Sequence, residues 1–411
     1  MPRRNTQRPS EADLRAPSPG TVLLLAALAA IGPLSTTIIL PSFPSMAADL
    51  NVPVRDLGVT LSSFFIAFAA GQLLAGPLSD RFGRRPVVFG GLAVYAVGTV
   101  ACALVSSLGG LLAARVVQAF GVCAASVISR AISRDLFSGE ALSKTLSLTM
   151  VAMAAAPGFS PLVGSGLESS VGWRGTFLVL AACAVAIALV YGFKMGESHP
   201  VDRRAAHTLA GLARGYSALA SAPQFLVPAL AASLAVGALN AFFAATPAIL
   251  IGVIGLSPLE LGLFFAATVL VVFTAGFAAP RLVHRLGANR VVLAGLVLCT
   301  IGGFLLLAAH ELPGLGLFST AIAVFLLGMG LVNPVGTALS LQPFGKQAGL
   351  ASALLGFIQM ALSALATFLV TRLPLDPGAA LGWIITSASA LALVFFTLSV
   401  LRPAPADQAA E

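Results

Sequence analysis

Charge is scarce in this sequence. Asp, Glu, Lys and Arg make up 9% of the 411 residues, where a water-soluble domain carries nearer about a quarter. That scarcity excludes an ordinary soluble domain. It also argues that the net charge of +8 serves lipid and topology, not nucleic acid. Histidine and cysteine number only four each. The cysteines, Cys102, Cys123, Cys183 and Cys299, stand inside apolar runs without metal-ligand spacing, and read as small buried apolar residues, neither disulfides nor ligands. No metal site is expected. A Walker loop and a nucleophile elbow are missing as well, which argues against an ATP-driven pump and against an enzyme.

What the chain has in abundance is apolar length: 58% of it is hydrophobic and its mean hydropathy is +0.98. A helix rising about 1.5 Å per residue needs about 20 such residues to cross roughly 30 Å of hydrocarbon. Apolar runs between polar punctuation predict twelve spans, near 20–41, 57–76, 87–107, 109–133, 145–167, 174–194, 223–246, 259–280, 290–310, 315–338, 348–371 and 380–401. The expectation is an all-α membrane protein. The longest hydrophilic stretch, from Lys194 to Ala222, divides it into bundles at 20–194 and 223–401 joined by a linker at 195–222, with a polar leader at 1–19 and a tail at 402–411. The Arg-rich leader before a run of more than twenty apolar residues reads as a cytoplasmic segment preceding a first span, not as a cleaved signal. An even count puts both termini on one side. Of the 23 Lys and Arg, Arg55, Arg174 and Arg372 fall outside and Arg115 within a span, which leaves 23 − 3 − 1 = 19 on the inner side. That bias orients the chain with both termini cytoplasmic.

Between the second and third spans lies Gly76-Pro77-Leu78-Ser79-Asp80-Arg81-Phe82-Gly83-Arg84-Arg85-Pro86. Gly76 and Gly83 would allow close backbone approach and tight turning, and Pro86 would restart the next helix where a missing N–H costs little. The run resembles the loop between helices two and three of the major facilitator superfamily, with its pattern G-x-L-x-D-R-x-G-R-R/K. That resemblance implies two six-helix pseudo-repeats and a cytoplasmic gate in which Asp80 is the acid and Arg81, Arg84 and Arg85 are the bases. The other reading is that the charges only fix topology. A weak internal repeat agrees with duplication: 204 residues on, Leu282, Arg285 and Gly287 stand where Leu78, Arg81 and Gly83 do, with His284 in place of Asp80.

The fourth span carries Arg115 about two turns, or about 10 Å, from its outer end. An arginine there either snorkels to the surface or has a function. The run Arg115-Val116-Val117-Gln118-Ala119-Phe120-Gly121, followed by Arg130 and Arg134, is similar to helix four of the bicyclomycin/chloramphenicol type of drug:proton antiporters. The resemblance implies proton coupling at Arg115 with Gln118, and partners for Asp80 in Arg130 and Arg134. In the fifth span Pro157, Gly158, Pro161 and Gly164 would kink the helix and let a neighbour approach closely. They resemble the antiporter signature G-P-x-x-G-G only in part, because Ser160 and Ser165 replace glycines. Gly172-Trp173-Arg174-Gly175-Thr176-Phe177 and the run from Phe344 to Gly356 resemble the same subfamily.

The departure lies in span one. Where that type has an aspartate and a tyrosine, this chain has Thr37 and Ile39. None of the 15 acids falls near the middle of a span, so no buried carboxyl stands ready to carry a proton. Three readings stay open: a rim acid titrates, Arg115 couples differently, or transport is not proton-driven. An acid-free interior should favour neutral or anionic solutes. Its candidate lining is Thr37, Gln72, Gln118, Asn240, Asn333 and Gln359 with Phe65, Phe68, Phe242 and Phe243, each of which could equally serve helix packing.

The sequence therefore predicts a secondary transporter of the bacterial inner membrane, exporting small, largely apolar, drug-like compounds by proton antiport. The proton gradient would replace any cofactor, the partners would be the small-molecule substrate and the lipid bilayer, nucleic acid would not bind, and one chain would suffice. The alternatives are a facilitator or proton-linked exporter of a metabolite and, more remotely, a non-transporting receptor.

Overall fold

The computed structural model describes residues 18–204, 209–309 and 314–401. The expected leader ahead of Ser18, the tail beyond Leu401 and Glu311 lie outside the described residues. Within them the chain is helical throughout. The first bundle holds α1 (Pro19–Thr37), a short α2 (Phe43–Leu50), α3 (Val59–Phe82), α4 (Arg84–Leu104), α5 (Leu108–Leu136) and α6 (Gly139–Lys194). The second holds α8 (Pro223–Thr246), α9 (Pro258–Leu286), α10 (Ala288–Ala309), α11 (Leu315–Leu341), α12 (Ala348–Arg372) and α13 (Pro377–Leu401). Eleven continuous helical stretches are long and apolar enough to cross a membrane. The 56-residue α6 supplies two of the expected crossings, because Gly172 at φ 69, ψ 176 breaks it into two helices. The expected linker is more than a loop, since it folds an amphipathic helix, α7 (Leu209–Ala220).

Proline inside a helix removes an N–H and leaves the carbonyl four residues back without its donor. Other helices supply the missing bond. Pro33 frees the Ala29 carbonyl, to which Ser126 Oγ of α5 donates at 2.7 Å. Pro77 frees the Leu73 carbonyl, to which the Tyr216 hydroxyl of α7 donates at 3.3 Å. The linker helix therefore ties onto α3 while Leu219 packs with Phe225, Ala351 and Leu354 of the second bundle.

Three expectations need correction. The charged run is not a loop that Pro86 ends: α3 continues through Gly76 and Pro77 to Phe82, and α4 begins at Arg84, two residues before Pro86. Gly83 alone makes the reversal, at φ 98. Gly76 contacts nothing that a Cβ would meet within 4 Å, so close approach is not its role. Cys183 is exposed on the outside of the bundle while the other three cysteines are buried. The repeat itself has a backbone signature, because Gly287 ends α9 at φ 84, ψ 151, much as Gly83 ends α3 at φ 98, ψ 159.

The halves meet where α3 packs on α12 and α6 packs on α9. Gly158 admits the Val269 side chain of α9 there, while Gly164 lies against the Ile38 carbonyl beyond α1. Both sit in the proline-containing part of α6 with Pro157 and Pro161. Opposite the end that carries Asp80, the Arg55 guanidinium donates to the carbonyls of Leu375 at 2.9 Å, Val370 at 3.4 Å and Leu373. Ser62 and Thr367 hydrogen-bond at 2.8 Å across the same α3–α12 seam.

Candidate functional site

Arg115 is the largest fully buried side chain, with 0% exposure. Snorkelling is therefore not what it does. Gly98 of α4 lies against the Gln118 backbone, and this close helix approach seats the polar side chains of α4 and α5 together. Arg115 Nη1 donates to the Ser35 carbonyl at 3.0 Å and to Gln118 Oε1 at 2.5 Å. Gln118 Nε2 donates to Thr99 Oγ1 at 2.9 Å, and Thr99 in turn donates to the Tyr95 carbonyl at 2.6 Å. Ser35 Oγ and the Tyr95 hydroxyl are 2.7 Å apart, which closes the network between α1, α4 and α5. The guanidinium carbon lies 4.6 Å from the Phe64 ring centroid, a contact worth up to about 2 kcal/mol when desolvated. Nε and Nη2 have no hydrogen-bond partner among the described residues. No carboxylate stands within 4 Å of it there. A lone cation inside a membrane bundle costs several kcal/mol, so a purely structural role explains it poorly.

Of the bases expected at Asp80, the charged cluster is built on one. Arg84, not Arg130 or Arg134, takes Asp80: Nη1 reaches its carboxylate at 2.5 Å and Ser79 Oγ at 2.5 Å, while Nε reaches Asp135 at 3.0 Å. Arg84 follows Asp80 by four residues across a one-residue break, which aims it between the ends of α3 and α5. Arg134 is exposed, and no ion pair joins it or the half-buried Arg130 to Asp80 among the described residues. Arg81 is exposed beside the Phe82 ring at 5.3 Å, and Arg85 lies 5.8 Å from the Phe89 ring and donates to the Gly192 carbonyl. Sequence reading missed Glu197, whose carboxylate accepts from the backbone N–H groups of Arg84 at 2.8 Å and Arg85 at 3.2 Å. An acid at a helix N-terminus is stabilised by the orphan donors there, and this one fastens the linker to α4.

The remaining polar candidates fall into two groups. Thr37 Oγ1 lies 2.6 Å from Ser160 Oγ. Two of the positions that depart from the antiporter pattern, one in each of the two spans, thus touch each other. In the second bundle Asn240 Nδ2 donates to Ser363 Oγ at 2.9 Å, Ser363 Oγ donates to the Gln359 carbonyl at 2.6 Å, and Gln359 Nε2 approaches Asn333 Oδ1 at 3.5 Å. Gln72 faces this group from the first bundle, its carboxamide lying against Gly356. Phe242 and Phe243 pack with Phe264 and Phe265 as core aromatics, and Phe65 and Phe68 are buried beside Phe64. Among the rim acids, Glu168 is half-buried; Ser45 donates to its Oε1 at 2.6 Å and its Oε2 has no partner among the described residues.

The sequence profile described as Major Facilitator Superfamily matches residues 25–367. A bicyclomycin resistance protein homolog of Haemophilus influenzae is 32% identical over 362 residues, covering 87% of this chain and 90% of that protein. A chloramphenicol resistance protein of Pseudomonas aeruginosa is 33% identical over 332 residues, covering 80% and 77%. Among solved structures, a D-xylose-proton symporter superposes with a TM-score of 0.72 at 17% identity, over 92% of this chain and 96% of that one.

Proposed function

Because this chain belongs to the Major Facilitator Superfamily, we propose that it exports small, largely apolar, neutral drug-like compounds across the bacterial inner membrane by proton antiport. The Asp80 end faces the cytoplasm and a single chain does the work. The observation that carries this reading is the buried, acid-free network around Arg115, joined to relatives named for bicyclomycin and chloramphenicol resistance. A fixed cation in the protein interior repels cationic solutes, and no interior carboxylate offsets it. Neutral compounds meet neither penalty.

Alternating access then consists of the two bundles rocking about the α3–α12 and α6–α9 seams. The Arg55 clasp closes the end opposite Asp80, and the Arg84 cluster fixes the ends of α3, α4 and α5 as one rigid body at the other. Arg115 takes the coupling role with Gln118, Thr99 and Tyr95 around it. Glu168 is the carboxyl we assign to the outer end of the proton's path, on the strength of its partial burial and unpartnered oxygen.

Expression in a pump-deficient host tests the export reading. Wild-type protein should raise the inhibitory concentrations of chloramphenicol and bicyclomycin and leave that of ethidium, a fixed cation, unchanged. No protection against any compound at confirmed membrane expression would overturn the reading. Glu168→Gln should still carry drug down its own gradient in vesicles yet lose the acceleration that a pH gradient gives wild type; an unchanged response would remove Glu168 from the path.

A further inference from the structure

Two hydrogen-bonded pairs occupy equivalent places in the two halves. Thr37 of α1 meets Ser160 of α6, and Asn240 of α8 meets Ser363 of α12; each pair is 123 residues apart in sequence. Asn240 follows Thr37 by the same 203 residues by which Ser363 follows Ser160 (240 − 37 and 363 − 160). The first pair is sealed, for both its residues are buried and each hydroxyl is used by the other. The second opens onto a row of amides. Asn240, Asn333 and Gln359 are each half-buried. They come from α8, α11 and α12, and α11 and α12 barely touch, so the Gln359–Asn333 approach spans a gap between them.

Amides half-exposed in the middle of spans do not face lipid, where an unsatisfied polar group costs several kcal/mol. Their valence is also only partly used. Among the described residues Asn240 Oδ1, Asn333 Nδ2 and Gln359 Oε1 meet no protein partner. These atoms present two acceptors and one donor, with no formal charge among them. Gln72 lies within one helical turn of Gln359 through its contact with Gly356, so the row sits on the seam between the bundles. Arg115 is closed off beneath Phe64 and held by Ser35 and Gln118.

We propose that Asn240, Asn333 and Gln359 form the polar recognition site for the exported solute, and that the solute is a neutral molecule with a carbonyl acceptor and adjoining N–H or O–H donors. This rests on the export reading above. Asn333 donates to the solute carbonyl, and Asn240 and Gln359 accept from its N–H and O–H groups. The sealed Thr37–Ser160 pair leaves the first half without an equivalent polar row, which makes recognition one-sided.

The test is binding to the full-length protein in nanodiscs, with chloramphenicol, a neutral secondary amide carrying two hydroxyls, and ethidium as the two probes. Chloramphenicol should bind wild type and ethidium should not. Asn333→Leu and Gln359→Leu should each weaken chloramphenicol by about tenfold, the worth of one neutral hydrogen bond in a dry site. Gln359→Glu keeps size and adds a charge; it should lose chloramphenicol and gain ethidium, a change that a merely structural role for Gln359 does not produce. Unchanged chloramphenicol affinity in folded variants overturns the proposal, as does folded wild type that binds ethidium or fails to bind chloramphenicol. Failure of the export reading looks different: wild-type cells then expel no compound, whatever the purified protein binds.

Discussion

Arg115→Met is expected to leave the protein folded and at least as heat-stable as wild type while lowering drug export tenfold or more. Both halves of this expectation come from the same burial. Nη1 makes two hydrogen bonds, but Nε and Nη2 make none, and the charge has no acid beside it. A buried charge without a partner ion costs several kcal/mol to desolvate, so an apolar side chain of similar length in its place removes a penalty larger than the two hydrogen bonds it gives up. Methionine also keeps the contact with Phe64, since sulfur packs well against rings. Gln118 retains Thr99 as a partner, so the α4–α5 contact survives. If Arg115 only held α1, α4 and α5 together, the variant would melt earlier and lose transport in proportion to folded protein. A stable but inactive protein separates function from packing. Thermal melting in detergent and drug efflux from cells, compared at equal folded amounts, decide it. Wild-type efflux from a stable Arg115→Met protein would remove the residue from the coupling machinery.

The second large effect concerns stability. Arg84→Ala should destabilise the protein more than any other single change in the charged cluster, because it takes the shared guanidinium from two carboxylates at once. Asp80 and Asp135 share that guanidinium at 2.5 and 3.0 Å, with side-chain exposures of 32% and 19%. Partial exposure screens them, so the loss lies between the roughly 1 kcal/mol of a surface pair and the about 3–5 kcal/mol of a fully buried one. Asp80→Asn should cost less, since Arg84 keeps Asp135. Combining Arg84→Ala with Asp80→Asn should recover part of the loss, and a double-mutant cycle of melting temperatures measures the coupling. Strict additivity would mean that the two residues do not act as a pair.

Much of this architecture is written in composition. Apolar runs of span length give the helices, and the single polar stretch near residue 200 gives the division into halves. The charged run also declared itself, but its geometry did not. Gly76 reads like a turn residue, yet the helix runs through it, because a proline one residue later interrupts only one hydrogen bond and the Tyr216 hydroxyl replaces the lost donor. Arg84 stands among the bases expected for Asp80 and does take it, while among the described residues no ion pair joins Asp80 to the further partners expected on α5. Arg130 and Arg134 lie on a separate helix and invite cross-helix pairing, whereas Arg84 reaches Asp80 across a break of one residue.

Other features leave no trace in a sequence. Arg55 binds backbone carbonyls, and any residue carries one. Phe64 is one of 26 phenylalanines, and only the rotation of α3 places it rather than Phe65 over Arg115. Thr37 and Ser160 looked like two separate losses from a pattern. Their contact turns them into one exchange, with a hydroxyl pair packed where a carboxylate beside a glycine was expected.

Drug movement in proteoliposomes under an imposed pH gradient tests the central claim most directly. With protein oriented so that the Asp80 end faces the outer medium, and with the lumen more acidic, chloramphenicol should accumulate inside above its external concentration and leak out when the gradient is collapsed. Accumulation that ignores the gradient, or equilibration without accumulation in either case, would contradict a proton-driven exporter.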